Sequence, residues 1–288
     1  MCLSGSAGYL TTPGLLGSLT MNNVWKRWVL DNILKGVAGG EIYQTLIKNG
    51  FVHDEIVSVL GRNLSPNEIE HFTNTHKVIV PQPAFLKNGH SKFEIIGDEK
   101  FCVYRIAQCF DEALCDEVIQ SIRSGLRPST ITTVNANTYQ DFRTSSTCDF
   151  VSVNAALNAR LNKKLEVLMG DKHHTPEPIQ AQHYDVGQEF KAHTDYFEPG
   201  SVEYEQHAKS RGQRSWTCMV YLNSADKGGE TEFLHLGRRF APRRGDAIIW
   251  RNIDINGVVN PLSLHQAHPV ERGEKFIITQ WYRLPPVK

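Results

Sequence analysis

The chain has 288 residues, 40% of them apolar and 22% charged, enough apolar material for the core of one large domain, alone or with a smaller companion. Lys and Arg total 31 and Asp and Glu total 31, so the net charge is zero. That balance argues against a broad electrostatic grip on nucleic acid or an anionic membrane, and no apolar run reaches the roughly 20 residues of a membrane-spanning helix.

Residues 1–20 carry no Lys or Arg, so they lack the basic start of a secretory signal and read as a disordered tail or leader, with Met21 as an alternative start. Residues 21–80 read as a small helical region and linker. Val24, Trp28, Ile33 and Leu34 fall close to a helical stripe. Residues 41–48 and 54–60 suggest two more helices around Asn49-Gly50, and Ser65-Pro66-Asn67-Glu68 is a capping box that starts a fourth. These helices are expected to pack as an appendage, or to bind a partner or self-associate. Val80-Pro81-Gln82-Pro83 has linker chemistry, since each Pro holds its predecessor extended.

Residues 81–288 read as the main domain. A strand is expected over 101–106. An amphipathic helix over 111–125 puts Leu114, Val118, Ile119 and Ile122 on one face, and a second helix fits 153–169. From Gln180 onward the pattern changes to short β-type runs, over 180–185, 217–222, 247–250 and 275–282, broken by Gly, Pro and Asn. Two helices followed by many short strands point to an α+β domain with a sandwich or barrel of antiparallel strands. The six cysteines form no Cys-x-x-Cys pair and read as reduced thiols in a cytoplasmic protein, with Cys148 and Cys218 as small core residues.

The most informative stretch is His193-Thr194-Asp195. Residues two apart on a strand point to one side, so an imidazole and a carboxylate can aim at a common point. His265 and His268 are both candidates for a third ligand. Two histidines and a carboxylate on one face of a six-coordinate iron(II) leave three positions open, as an oxygenase needs. Lys275 follows His265 by ten residues, an even spacing that keeps both on one side of extended chain. An inward lysine needs an anionic partner, and a carboxylate-bearing cosubstrate would provide one. The remaining histidines read as ordinary residues: His173, His174, His207 and His235 as solvated, and His183 as pointing away beside Tyr184. Gly228-Gly229 reads as a tight turn between strands.

These elements run in order with Asp141-Phe142-Arg143-Thr144-Ser145-Ser146, Arg214-Ser215-Trp216-Thr217, Tyr221-Leu222-Asn223, Gly228-Gly229-Glu230-Thr231-Glu232-Phe233, His265 to Val270, Gly273-Glu274-Lys275 and Trp281. Over roughly residues 97–288 the set resembles the prolyl 4-hydroxylase family of iron(II)- and 2-oxoglutarate-dependent dioxygenases. The resemblance implies a double-stranded β-helix, or jelly roll, with supporting helices. It implies a metal triad of His193, Asp195 and His265, with His268 at a variable position. It implies that Lys275, Tyr184 and Thr231 hold the far carboxylate of 2-oxoglutarate. Fe(II), 2-oxoglutarate and O2 follow as cofactor and cosubstrates, with ascorbate as a supporting reductant.

The implied reaction hydroxylates a prolyl residue in a peptide or protein and releases succinate and CO2. Arg143, Ser145, Arg214 and Trp250 match family positions that meet the peptide. A polyproline-like peptide leaves its carbonyls free for Arg and Ser donors, and a Trp face suits a pyrrolidine ring. Residues 196–213 form a polar loop of the kind that closes over a substrate. A carboxylate at Asp195 occupies the position that a halide takes in related halogenases, so the set reads as a hydroxylase. A free amino acid or other small molecule is the alternative substrate. A nucleic-acid demethylase fits less well with Lys275 and zero net charge, as does a degenerate binding module with the full residue set present. Neither nucleic acid nor membrane is expected as a partner.

Overall fold

The computed structural model describes residues 21–49, 51, 53–76, 82–88, 93–130, 142–170, 175–254 and 257–284. The expected leader, Val80 and Pro81 of the expected linker, Asp141, His173 and His174 lie outside the described residues. The chain divides into two compact units, Met1–Lys77 with Glu198–Ser201, and Val78–Phe197 with Val202–Lys288.

In the first unit α1 (Asn23–Leu34), α2 (Gly39–Lys48), α3 (His53–Leu60) and α4 (Pro66–His76) surround Ile42, Tyr43, Leu46, Ile56 and Leu60. The capping box forms as expected. The Ser65 backbone N–H donates to Glu68 Oε2 at 2.8 Å, and the Glu68 N–H donates to Ser65 Oγ at 3.2 Å. The expected stripe on α1 does not hold: Val24 and Leu34 are each 76% exposed, and Val29 is the buried residue, with Trp25, Trp28 and Ile33 packed beside the same core. Asn22 caps this helix and sets its phase, accepting from the N–H groups of Val24 and Trp25.

The second unit mixes helices with antiparallel sheets. In chain order it contains α5 (Ala84–Asn88), β1 (Glu94–Gly97), β2 (Cys102–Ile106), α6 (Glu112–Arg123), β3 (Arg127–Pro128), β4 (Ser146–Asp149), α7 (Phe150–Val153) and α8 (Ala155–Met169). It continues with β5 (Thr175–Pro176), β6 (Gln180–Tyr184), β7 (Phe190–His193), α9 (Val202–His207), β8 (Arg214–Tyr221), β9 (Lys227–Gly228), β10 (Thr231–Phe233) and β11 (Arg238–Phe240). It closes with β12 (Ala247–Arg251), β13 (His265–Ala267), β14 (Val270–Arg272) and β15 (Lys275–Arg283). The larger sheet runs β1-β2-β12-β8-β15-β6-β4-β3, with β5 also on β15; the smaller runs β11-β10-β13-β7.

Strand alternation builds three layers. On one face of the larger sheet Trp216, Cys218, Val220, Ala247, Ile249, Phe276 and Ile278 pack with Val118, Ile122, Leu161 and Leu165 of α6 and α8. On the other face Met219, Tyr221, Ile248, Trp250 and Ile277 pack with Phe233, Phe240 and Ala267 of the smaller sheet. Every residue of β8 after Arg214 is therefore buried, although only alternate ones face the smaller sheet. Cys148 and Cys218 are core residues as expected.

Three expectations need correction. The helix expected over 153–169 breaks at Asn154, which leaves the helical region (φ −148°, ψ 87°) and caps α8 through Leu157 N–H. The segment expected as a polar loop over 196–213 holds α9, and Gln213 ties its end back through Phe197, donating to its carbonyl at 2.7 Å. His207, expected to be solvated, is half-buried and stacks on Phe197.

Candidate metal and cosubstrate site

His193 and His265 are direct partners across the antiparallel pair β7–β13, which brings their ring centroids to 4.3 Å. Asp195 lies beyond the end of β7, so the two-residue strand rule is not what aims it. Its Oδ2 accepts from Thr217 Oγ1 on β8 of the larger sheet at 2.7 Å, and Thr217 Oγ1 accepts from Asn252 Nδ2 at 2.8 Å. That chain places Asp195 Oδ1 3.9 Å from His193 Nε2. One ligand atom from each of His193, Asp195 and His265 lies within 4.8 Å of the others.

Both imidazoles are oriented from behind. Nδ1 of His193 lies 2.8 Å from Lys191 O, and Nδ1 of His265 lies 2.9 Å from Ser263 O. A carbonyl can only accept, so each Nδ1 carries the proton and each Nε2 keeps its lone pair, the tautomer a metal ligand needs. Burial, followed by the neighbouring His265, pushes the His193 pKa down to about 3, so its ring is neutral at pH 7. Burial alone would raise Asp195, but His265, His193, Arg214 and the Thr217 hydrogen bond outweigh it and hold the carboxyl below its usual value. The site thus offers two imidazoles and a carboxylate. His268 is turned elsewhere, its Nε2 2.6 Å from Glu232 Oε2, and His183 stacks on Phe276 with its Nε2 3.1 Å from Glu274.

The same cavity is lined by Lys275, Tyr184, Thr231, Thr279, Trp281, Met219, Ile277, Ala267, Trp250, Gln182, Phe190 and Arg143. The even spacing from His265 does not explain why Lys275 is there. The two residues lie on β13 and β15, in different sheets, with a turn through Gly273 (φ +80°) between β14 and β15. They share the cavity because the sheets face each other. Lys275 is fully buried and its Nζ has no hydrogen-bond partner among the described residues. Burial pushes its pKa down to about 7, against a smaller opposing pull from Glu230. Gly229, at φ +72°, fits against it: a Cβ there would stand 3.3 Å from Lys275 Cδ.

Tyr184 and Thr231 flank the lysine. Lys275 Nζ is 4.8 Å from the Tyr184 ring centroid and 5.8 Å from that of Tyr221. The Tyr184 hydroxyl donates to Gln182 Oε1 at 2.8 Å, and burial raises its pKa. Tyr221 donates to Thr231 Oγ1 at 2.8 Å, leaving the Thr231 proton for an acceptor in the cavity. A buried, unpartnered ammonium flanked by hydroxyls suits a carboxylate, because an unpaired buried charge is costly.

The four residues expected at the peptide divide. Arg143 lines the cavity, lies over Phe190 at 4.9 Å and donates to Gln180 Oε1 at 2.9 Å. Trp250 lines it too, but is fully buried between Phe233 and His265, with its indole N–H unpaired among the described residues. Ser145 and Arg214 are not among its lining residues. Ser145 accepts from Arg143 Nε at 3.3 Å. Arg214 is held by Glu177 through bonds of 2.6 and 2.8 Å, covers the Trp281 ring at 4.0 Å and donates to Asp195 O at 3.3 Å. Sequence reasoning missed the roles of Trp281, Tyr221, Thr217 and Glu177. Alternation along β15 from Lys275 through Ile277 and Thr279 would have found Trp281; the others depend on contacts between distant strands.

Residues 179–283 match the 2OG-Fe(II) oxygenase superfamily, a stretch that holds His193, Asp195, His265 and Lys275. Among curated proteins it is 30% identical to probable prolyl 4-hydroxylase 6 of Arabidopsis thaliana, over 58% of this chain and 64% of the relative. It is 33% identical to a putative prolyl 4-hydroxylase of Acanthamoeba polyphaga mimivirus, over 37% of this chain and 45% of the relative. The chain spans less than two thirds of the length of these relatives. Among solved structures it is similar to a viral collagen prolyl hydroxylase of Paramecium Bursaria Chlorella virus-1 in complex with 2OG. That likeness has a TM-score of 0.46 at 26% identity and covers 65% of this chain and 97% of the other.

Proposed function

We propose that the second unit is an iron(II)- and 2-oxoglutarate-dependent dioxygenase that hydroxylates a prolyl residue in a peptide or protein, built as a double-stranded β-helix. The observation that carries this reading is the unpartnered Lys275 Nζ in the same cavity as the His193–Asp195–His265 cluster. The cluster has the donor set for a non-haem iron with open positions, and the ammonium awaits an anion beside it. The names of the curated relatives support proline as the target.

The donors fit the metal: His193 and His265 through Nε2 and Asp195 through its carboxylate. Iron(II) held there supplies, with 2-oxoglutarate and O2, the oxidative decarboxylation that is coupled to C–H hydroxylation. The protein's part is to position and to exclude water. Lys275 would pair with the distal carboxylate of the cosubstrate and Thr231 would donate to it, while Tyr184 would join only by turning its proton away from Gln182 Oε1. Met219, Ile277 and Ala267 form apolar wall around it. Arg143 would offer its one remaining Nη1 proton to a carbonyl of an extended peptide, its guanidinium plane being fixed by Ser145 at Nε, Thr130 O at Nη1, and Thr147 and Gln180 at Nη2. Arg214 positions two parts at once, packing on Trp281 and bonding the Asp195 carbonyl, while Glu177 holds Arg214 in place.

Ascorbate fits as the reductant that keeps iron ferrous. The free thiols of Cys102, Cys109, Cys115, Cys148 and Cys218 support a reducing, cytoplasmic compartment. No helix among the described residues is long and apolar enough to cross a membrane.

The substrate class is tested by incubating the protein with iron(II), ascorbate and 2-oxoglutarate, separately with a proline-rich peptide library, the free amino acids and alkylated oligonucleotides. Products heavier by one oxygen are expected from the peptides. Turnover of free amino acids or of alkylated bases, with no peptide modified, contradicts the proline reading.

A further inference from the structure

A second concavity, of about 580 Å³, shares no lining residue with the metal cavity. It opens between two sheet edges. β1 ends the order of the larger sheet and β11 ends that of the smaller, so each pairs on one side only among the described residues. A strand edge carries a row of unpaired backbone donors and acceptors, ready to add an extended segment.

The charge of the groove specifies the segment. Four arginines line it, Arg105, Arg238, Arg239 and Arg243, against two carboxylates, Glu94 and Asp246. Arg105 engages both carboxylates, through bonds of 2.7 and 2.9 Å to Asp246 and 3.2 Å to Glu94. Arg239 stands 3.5 Å from Glu232, which already bonds His268 and Gln266. Arg238 and Arg243 are exposed and have no ion-pair partner among the described residues. Two unpaired guanidiniums thus stand beside an apolar wall of Ile96, Leu236 and Ile248, with Ile95 60% exposed at the rim.

We propose that this groove binds an extended acidic peptide segment of a partner protein, one that alternates carboxylates with apolar side chains. Its backbone would pair with a strand edge, its carboxylates with Arg238 and Arg243, and its apolar side chains with the Ile96–Leu236 wall. The two lining carboxylates disfavour a dense polyanion, whereas separated carboxylates can reach the arginines without meeting them. This site is independent of the hydroxylase reading.

The test uses the full chain and a fluorescein-labelled hexapeptide of alternating glutamate and leucine, which has no proline to hydroxylate. Fluorescence anisotropy is expected to show saturable binding, weakened more than tenfold by the double substitution Arg238→Glu and Arg243→Glu. Both positions are exposed, and an unchanged circular dichroism spectrum establishes that the variant is folded. A lysine-leucine counterpart is expected not to bind, and N-methylation of the backbone to weaken the acidic peptide. Absence of saturable binding, or equal affinity in the folded double variant, overturns the proposal. Tighter arginine-dependent binding of inorganic tripolyphosphate that displaces the peptide assigns the groove to small polyanions instead.

Discussion

Lys275 lies over the ring of Tyr184, its Nζ 4.8 Å from the centroid, and makes no hydrogen bond there. The two residues are paired across β15 and β6, so the register of the larger sheet holds the ammonium and the phenol together. In the proposed function, replacing Lys275 with Ala removes a charge-assisted contact of roughly 1.5–3 kcal/mol, enough for about a tenfold or greater loss of 2-oxoglutarate affinity. Iron binding should persist. Titration of cosubstrate and of iron against the same variant checks both halves.

The acidity of Lys275 adds a pH dependence. With its pKa pushed down to about 7 by burial, the ammonium is charged below that value and neutral above it. A dianionic cosubstrate binds the charged form, so affinity should be highest on the acid side and fall as pH rises through 7, with a proton taken up on binding in that range. Calorimetry at pH 6 and pH 9, in buffers of different ionisation enthalpy, reads both effects. Affinity rising with pH would show that the lysine does not hold the anion.

The two histidines near the end of the chain should behave differently. His265→Ala, like His193→Ala and Asp195→Ala, removes a member of the cluster and should abolish turnover and weaken metal binding by orders of magnitude. His268 is turned to Glu232, so His268→Ala should leave both nearly unchanged. Iron titration with circular dichroism as a folding control separates lost ligation from lost structure.

The pair His193 and Asp195 is legible because the two residues sit two apart, whereas His265, far along the chain, is distinguished from His268 in sequence only by the family resemblance. The helices were legible by periodicity, as at 111–125, where Val118 and Ile122 are buried as expected. What was not legible depends on register and layering. Lys275 shares the cavity with His265 not through the parity of their spacing but because two sheets face each other. Arg214 was expected at the peptide, but Glu177, 37 positions earlier, captures it, and no sequence pattern reports that pair. The break at Asn154 was hidden because apolar spacing runs on through it, while the side chain finds a better place as a cap.

Arg143 separates substrate binding from the rest of the site. Its guanidinium lines the cavity, and its hydrogen bonds run to Ser145, Thr130, Thr147 and Gln180. Arg143→Ala should therefore raise the apparent KM for a proline peptide about tenfold or more, the scale of a lost charged hydrogen bond, while the affinities for iron and 2-oxoglutarate change little. Steady-state kinetics with each of the three varied in turn would reveal a general collapse if Arg143 were merely structural.

The central claim is that this cavity couples decarboxylation of 2-oxoglutarate to hydroxylation of a peptidyl proline. It is tested most directly by measuring succinate and hydroxyproline together in one reaction with iron(II), 2-oxoglutarate and a proline-rich peptide, for the unaltered protein and for Asp195→Ala. The account predicts peptide-dependent succinate in one-to-one ratio with hydroxyproline, and neither product from the variant. Succinate formed at the same rate with and without peptide, with no hydroxyproline, would contradict it.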